Sequence, residues 1–399
     1  MKDIKLPIYL DYAATTPVHK EVCDIMQKYL CVDADFGNPS SNNHIYGINA
    51  RAAVEEARRQ VAKLINAKTQ DIVFTSGATE ANNLAIKGVM EFYKSKGSHI
   101  ITSKTEHKAV LDTCKYLETK GCKVTYLTPK TNGLLNLEDI KNAITDKTVL
   151  ISIMHVNNEI GVIQDIEKIG KLAKDNNILF HTDAVQSVGK IEVDVEKFNI
   201  DLLSLSGHKI YGPKGIGALY IRSKPRKVKL TPQMHGGSQE KGIRSGTLAT
   251  HQIAGLGEAC KIARKNMDVN CNNIKKLRDR IWNELSKLGG VYLNGDFESR
   301  IYNNLNISFD YIEGEALIAS LTDLALSSGS ACNSSTQEAS YVLKAIGLES
   351  ELAQASIRIS LGIYTTEEEV NYAINFIKEK VKVLRDISPI SEELSRVSS

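Results

Sequence analysis

Four short segments place polar and ionisable residues directly behind apolar runs, and each suggests one chemical task. In Thr75-Ser-Gly-Ala-Thr-Glu80, Gly77 permits a tight turn, and the amides around Ala78 and Thr79 would face an anion at a helix N-terminus. Thr79 acting as a plain helix cap would explain the same pattern. In His181-Thr-Asp183-Ala-Val-Gln186, a carboxylate at a strand end suits a protonated ring nitrogen, and Gln186 could donate to a ring oxygen. The competing readings are a capping Asp183, or a metal on His181 and Asp183. A metal needs more ligands than this pair, and no HExxH-like motif supplies them.

In Ser204-Leu-Ser-Gly-His-Lys-Ile-Tyr-Gly-Pro-Lys-Gly-Ile-Gly217, Lys209 follows an apolar strand among small residues. A buried approach favours the neutral amine that attacks a carbonyl. Lys214, in a Gly/Pro turn, is the rival and is expected to be solvated. Ser206 and His208 could hold a phosphate. Gly212, Gly215 and Gly217 do not make a dinucleotide fingerprint, because no helix follows at the required spacing. In Ser103-Lys-Thr-Glu-His-Lys-Ala-Val110, His107 opens a helix, where it could stack on a ring and relay protons; a lone surface histidine is the alternative. No segment is specific alone. Together they supply what a pyridoxal 5'-phosphate site requires: anion cradle, ring-nitrogen partner, Schiff-base lysine and stacking group.

The cysteines stand at 23, 31, 114, 122, 260, 271 and 332. Their odd number and the lack of a CxxC pair indicate a reducing compartment, with most of them expected as small core residues. Cys332 differs. Its segment, Leu326-Ser-Ser-Gly-Ser-Ala-Cys-Asn-Ser-Ser-Thr-Gln-Glu-Ala-Ser340, is rich in Ser and Gly without apolar periodicity, which predicts a mobile exposed loop. A loop thiol can travel between a substrate pocket and an acceptor outside. An incidental loop cysteine is the plainer alternative.

The elements that must position these groups alternate. Apolar residues at Ala50, Ala53, Val54, Ala57, Val61, Leu64 and Ile65 follow helical spacing. Strand-like runs recur at 71–75, 99–102, 123–128, 149–154, 178–181 and 201–206, with helical stretches between them, including 166–175. That rhythm predicts an α/β fold with a mostly parallel sheet covered on both faces, its reactive groups beyond the strands' C-terminal ends. After about residue 250, a helix with Ile274, Leu277, Ile281, Leu285 and Leu288 on one stripe leads to a smaller α+β lobe. The polar tail 388–399 is expected to be partly disordered. A net charge of +3 on 399 residues, with 24% charged residues, offers no argument for direct nucleic-acid binding. No apolar run reaches membrane-spanning length, and the first ten residues lack a secretory core.

Five motifs match in order: Thr75–Glu80, Ser103–His107, His155-Val-Asn-Asn-Glu-Ile-Gly161, Asp183–Gln186 and Ser206–Lys209. With Leu10-Asp-Tyr-Ala-Ala-Thr-Thr-Pro17 and Ser356-Ile-Arg-Ile-Ser-Leu-Gly362 they span nearly the whole chain. The chain thus resembles cysteine desulfurases of the NifS/IscS type, most closely the housekeeping branch serving iron–sulfur-cluster assembly. The resemblance implies a fold-type I pyridoxal-phosphate enzyme, with a large domain over 16–264 and a small domain from 1–15 and 265–399.

By resemblance, Lys209 binds the cofactor covalently, Asp183 pairs with its ring nitrogen and His107 stacks on it. Ala78, Thr79, Ser206 and His208 hold the phosphate, with Thr247 reaching across a homodimer. Asn158 and Gln186 contact the ring oxygen or substrate. Arg358 binds the substrate carboxylate through two parallel hydrogen bonds, unless it forms a structural ion pair. Cys332 takes the sulfur of L-cysteine as a persulfide and can transiently ligate a cluster iron on a scaffold. Further implied partners are a frataxin-like protein, a ferredoxin and sulfur carriers for tRNA thiolation, in the cytoplasm. A selenocysteine lyase and a catalytically silent docking scaffold are the alternative readings. Asn333 and Gln337-Glu338-Ala339 depart from the family's frequent threonine and Leu-Glu-Pro, which bears on loop dynamics. The basic run Arg222 to Lys229 is expected as a solvated face, with docking of acidic partners as the functional alternative.

Overall fold

The computed structural model describes residues 4–328 and 339–387. Cys332, Asn333 and the segment 329–338 lie outside the described residues, as do 1–3 and the tail 388–399. In chain order, the first half runs β1 (Ile8–Tyr9), α1 (Lys20–Gln27), α2 (Ile45–Leu64), β2 (Ile72–Thr75), α3 (Ala78–Phe92), β3 (His99–Ser103), α4 (Lys108–Glu118), β4 (Lys123–Leu127), α5 (Leu137–Asn142) and β5 (Thr148–Ser152). The middle holds α6 (Ile166–Asp175), β6 (Leu179–Asp183), β7 (Leu202–Ser206), β8 (Gly217–Ile221) and α7 (Thr250–Leu285). The remainder holds β9 (Val291–Leu293), β10 (Asn304–Phe309), α8 (Gly314–Ser320), β11 (Leu324–Ala325), β12 (Ser327–Ser328), α9 (Tyr341–Ala345), α10 (Ser350–Gln354), β13 (Ser356–Ser360) and α11 (Glu367–Asp386).

Seven strands form the main sheet in the order β2-β8-β7-β6-β5-β3-β4. β3 to β7 pair in parallel, while β8 runs antiparallel to both β2 and β7. Strands such as Leu179–Asp183 and Leu202–Ser206 are buried along their whole length, because helices cover both faces and neither side tolerates alternation with polar residues. One face packs on Leu84, Ile86 and Val89 of α3 and Val110 of α4. The other packs on Val54 and Val61 of α2, Ile169 of α6 and Leu256 of α7.

A second, antiparallel sheet has the order β12-β13-β10-β9. Its core joins Leu305 and Ile357 to Ile281 and Leu285 of α7 and Ile377 of α11. Helix α7, 36 residues long, serves both cores: Leu256 and Cys260 belong to the first, Ile274 and Ile281 to the second. Ile8 and Leu10 also pack in the second core, so the N-terminal strand crosses to the smaller lobe, where it forms a two-stranded parallel sheet with β11.

Several expectations change. Helix α2 starts at Ile45, capped by the His44 ring accepting from the Gly47 amide, five residues ahead of its apolar stripe. Strand β8 and its antiparallel direction were not evident from the Gly-rich run before it. Burial accounts for Cys114 and Cys260, but Cys23 and Cys31 are exposed and Cys122 and Cys271 half-buried. The reason is local: α1 buries only Val22, so Cys23 faces out. Arg222 is not part of a solvated face. Its guanidinium is buried, donating to the Val195 and Ile200 carbonyls and pairing with Glu196 at 2.6 Å.

Candidate active site

The carboxyl ends of β2, β6 and β7 and the start of α4 open onto one cavity of about 650 Å³. Its lining includes Ala78, Thr79, His107, Asn158, Asp183, Gln186, Ser206, His208, Lys209 and Arg358. Ten of the sequence-derived positions therefore meet in one place. Thr247 does not: it is exposed and outside this lining. Cys332 lies beyond the described residues.

The anion end is built by glycine geometry. Gly77 caps α3 at φ +152° without a side-chain hydrogen bond, a conformation that L side chains rarely adopt. The cap is thus Gly77 rather than Thr79, and the first amides of the helix face the cavity mouth. Gly217 on β8 lets the turn sit close, since a Cβ there would come within 2.8 Å of the Gly77 Cα. Glu80 steadies the turn by accepting from the Ser76 amide at 2.7 Å and from Arg244 at 2.8 Å. Burial opposes its ionisation, yet those hydrogen bonds hold the Glu80 carboxyl below its ordinary range. His208 accepts or donates at 3.1 Å to the Thr15 hydroxyl. Burial, with the charges of Lys209, Lys214 and Lys190, pushes it down to about 4, so it is neutral near pH 7.

The opposite wall holds the candidate ring-nitrogen partner. Asp183 ends β6 and accepts from the Val185 amide at 3.1 Å and the Asn82 side chain at 2.7 Å. It caps its own turn and keeps its carboxylate at the cavity, so the two readings coexist. Behind it, Glu106 accepts from the Met154 amide at 2.7 Å. Burial first, then the nearby Asp183 charge, pushes the Glu106 carboxyl well above its usual range. The metal reading fails on His181: its ring nitrogens are taken by Ser152 at 2.8 Å and Ser204 at 3.0 Å. Burial lowers it to about 3, and no cluster of three metal-ligating side chains exists among the described residues.

The candidate amine sits between these walls. Lys209, in a short turn after β7, donates to the carbonyls of Ala13 and Ala14 at 2.7 and 2.6 Å. Lys214 also borders the cavity but is exposed, as expected of the rival. His107 caps α4, its Nδ1 accepting from the Ala109 amide at 3.1 Å. That contact fixes the tautomer and leaves Nε2 as the free nitrogen. Arg358, from the middle of β13, is both ion pair and cavity wall. It donates to Asp11 at 2.8 Å, Ser327 at 2.9 Å and the Asn158 carbonyl at 2.9 Å, while its Nε has no partner among the described residues.

Pyridoxal 5'-phosphate fits this donor set on the structure's own terms. A carboxylate stands at one end, a helix N-terminus and a neutral histidine at the other, and an amine between them. The buried Asn158 Oδ1, without a partner among the described residues, lines the same space. Sequence reasoning missed Asp11, Ala13 and Ala14, Asn82 and Glu106. Two of these act through backbone carbonyls, which no side-chain pattern signals; the Leu10–Pro17 motif marked their segment without their task.

The aminotransferase class-V family matches residues 8–372. The cysteine desulfurase IscS of Pectobacterium carotovorum is 57% identical over 389 residues, covering 98% of this chain and 96% of that one. The protein of the same name from Aeromonas hydrophila is 59% identical with the same coverage. Among solved structures, a NifS-like protein superposes with a TM-score of 0.88 at 38% identity, covering 95% of this chain and all of that one. SspA in complex with cysteine gives 0.79 at 42% identity, covering 90% and 99%. With its site built on the same strand ends, the chain belongs to the class-V aminotransferase family and, within it, to the IscS-type cysteine desulfurases.

Proposed function

We infer that this protein is a pyridoxal-phosphate-dependent cysteine desulfurase that converts L-cysteine to L-alanine and passes the sulfur to Cys332 as a persulfide. The observation that carries the reading is the meeting of Lys209, Asp183, His107 and Arg358 at one cavity. When bound, pyridoxal phosphate supplies an electron sink that acidifies the substrate Cα–H. Asp183 holds the ring nitrogen protonated, and the Ala78–Thr79 amides, Ser206 and His208 hold the phosphate. Arg358 takes the substrate carboxylate in two parallel hydrogen bonds and Asn158 assists; Asp11, now on the guanidinium, keeps it aimed.

Lys209 would hold the cofactor at rest, and its amine is placed to take the Cα proton. The Cys332 thiolate attacks the substrate sulfur: an S–S bond forms, the substrate Cβ–S bond breaks, and its electron pair passes to the substrate carbon skeleton. Return of the Lys209-held proton to Cα and a second proton at Cβ give alanine. His107 Nε2 is placed to carry that second proton. Thiolate is the nucleophile, and an ordinary cysteine has a pKa near about 8.5, so proton removal from Cys332 belongs to the same step.

The protein acts as a homodimer in which Thr247 of each chain serves the other's phosphate site. Supporting this, Val32, Phe36, Ile45 and Tyr46 are large exposed apolar residues, and a hollow of about 800 Å³ joins Pro39 and Ser40 to Leu248, the residue after Thr247. Phe36 and Tyr46 meet ring to ring at 5.4 Å, and exposed apolar side chains gathered in this way suit an interface. The persulfide serves an iron–sulfur scaffold, on which Cys332 can briefly ligate a cluster iron, with a frataxin-like protein, a ferredoxin and tRNA-thiolation carriers as further partners. The compartment is the cytoplasm; no described helix is long and apolar enough to cross a membrane.

The test is to supply L-cysteine with a thiol reductant and measure alanine and sulfide for wild type and Cys332→Ala. Wild type forms both in equal amounts, and the variant forms neither at a comparable rate. Sulfide release by Cys332→Ala at the wild-type rate would falsify the persulfide route.

A further inference from the structure

A buried amine outside the reading above stands directly behind it. Lys190 is 7% exposed, and its Nζ donates to the Gln186 Oε1 at 2.8 Å. Gln186 in turn donates through Nε2 to the Ala13 carbonyl at 2.9 Å, the same carbonyl that receives Lys209 at 2.7 Å. We propose that Lys190 is a positioning residue that locks the Gln186 amide so that an N–H, not the carbonyl oxygen, faces the cofactor's ring oxygen. The proposal rests on the reading that pyridoxal phosphate occupies the cavity.

The orientation follows from donor counting. A peptide carbonyl only accepts, and a lysine amine keeps N–H donors whether charged or neutral. Lys190 therefore selects the oxygen of Gln186, and Ala13 selects its nitrogen. A flipped amide would set oxygen against oxygen at Ala13 and leave both contacts unmade. With one N–H spent on Ala13, the second remains for the cavity that Gln186 lines. The backbone makes the pairing local. Val188 and Ile191 amides bond back to the Ala184 and Ser187 carbonyls, and this run of turns brings residues 186 and 190 together. Gly189, at φ +76°, then permits the close approach to Ile210, where a Cβ would come within 2.8 Å of its methyl. An apolar side chain would fill this position more cheaply. Burial, then the charges of Lys209 and Arg358, draws Lys190 down to about 7, the mark of an amine held where an amine is costly.

The test uses purified holoenzymes and two readouts: the pyridoxal-phosphate dissociation constant and the pH midpoint of the visible absorbance band. Lys190→Met keeps the length and removes the donor. It should weaken cofactor retention about 2- to 10-fold, the effect of one hydrogen bond, and move the band midpoint, while Lys190→Arg returns both toward wild type. In a Gln186→Leu background, Lys190→Met should add less than about 2-fold. Gln186→Glu keeps Lys190 paired but has no N–H, so it must reproduce the midpoint shift; this arm stands even if Lys190→Met does not fold. A Lys190→Met or Gln186→Glu protein with wild-type retention and midpoint overturns the proposal, as does a Lys190→Met effect undiminished in the Gln186→Leu background. A wild-type protein that takes up no pyridoxal phosphate on Lys209 sinks the functional reading and this proposal together. Normal loading with an indifferent Lys190→Met sinks only the proposal.

Discussion

The two sheets meet the same cavity in different ways. The parallel sheet offers strand ends: Thr75, Asp183 and Ser206 close their strands, and the reactive groups follow in turns one to three residues on. The antiparallel sheet offers a strand middle, Arg358, flanked on both sides by paired strands. A strand end lets each loop bring its own group, so a deleted side chain there changes chemistry while the sheet persists. A mid-strand cation is locked into a core, so its removal should change binding and stability together.

The largest effect that contrast predicts is Lys209→Ala. Its turn after β7 tolerates the change, so melting of the apo-protein should stay near wild type while alanine formation falls by about 1,000-fold or more. Borohydride reduction followed by mass measurement should find no cofactor attached. Asp11→Ala should do the opposite on the other sheet. It leaves Arg358 without its 2.8 Å partner, destabilising the fold by about 3 kcal/mol, typical of a broken buried pair, and raising KM for L-cysteine more than it lowers kcat. If Asp11→Ala left the denaturation midpoint untouched, the contrast would be lost.

Asn82→Ala sharpens it further. Asp183 would lose a charge-assisted bond worth about 1.5 kcal/mol, which corresponds to roughly tenfold weaker cofactor retention by equilibrium titration, with kcat of the loaded enzyme changed less. An effect confined to one pH window concerns Glu159, which accepts from Ser340 at 2.5 Å. Burial outweighs that bond and the charges of Arg358 and Lys108, and the carboxyl rises from 4.5 to about 7. The folded state therefore holds a proton between those values that the unfolded chain releases, and wild type loses stability relative to Glu159→Gln as pH rises through that window. The gap in unfolding free energy should be near zero at pH 4 and reach about 1–3 kcal/mol above pH 7. A gap independent of pH would contradict the assignment.

Much of this was legible beforehand because parallel strands and their following turns are local events. An apolar run that ends in Asp183-Ala-Val-Gln186 or Ser206-Gly-His-Lys209 displays its chemistry within a few residues. That Arg222 is buried among the carbonyls of Val195 and Ile200 depends on partners twenty or more residues away, while the start of α2 rests on a histidine ring, His44, acting as the cap. The exposed Cys23 was misplaced because a composition rule for cysteine does not know which side of α1 meets the core, and the exposed Cys31 lies past the end of that helix.

By itself, then, the sequence determined the alternation of elements, the motifs at the strand ends and the choice of Lys209 over Lys214. Those features rest on residue type and short spacing. Only the tertiary structure decided that the carbonyls of Ala13 and Ala14 receive Lys209, that Asp11 aims Arg358 and that Lys190 orients Gln186. Three of these join residues more than 170 positions apart, and the fourth needs the Ala13 carbonyl to set its sense. Hydrogen bonds of that kind have no periodicity to read, and they exist only once two cores have closed around the N-terminal strand.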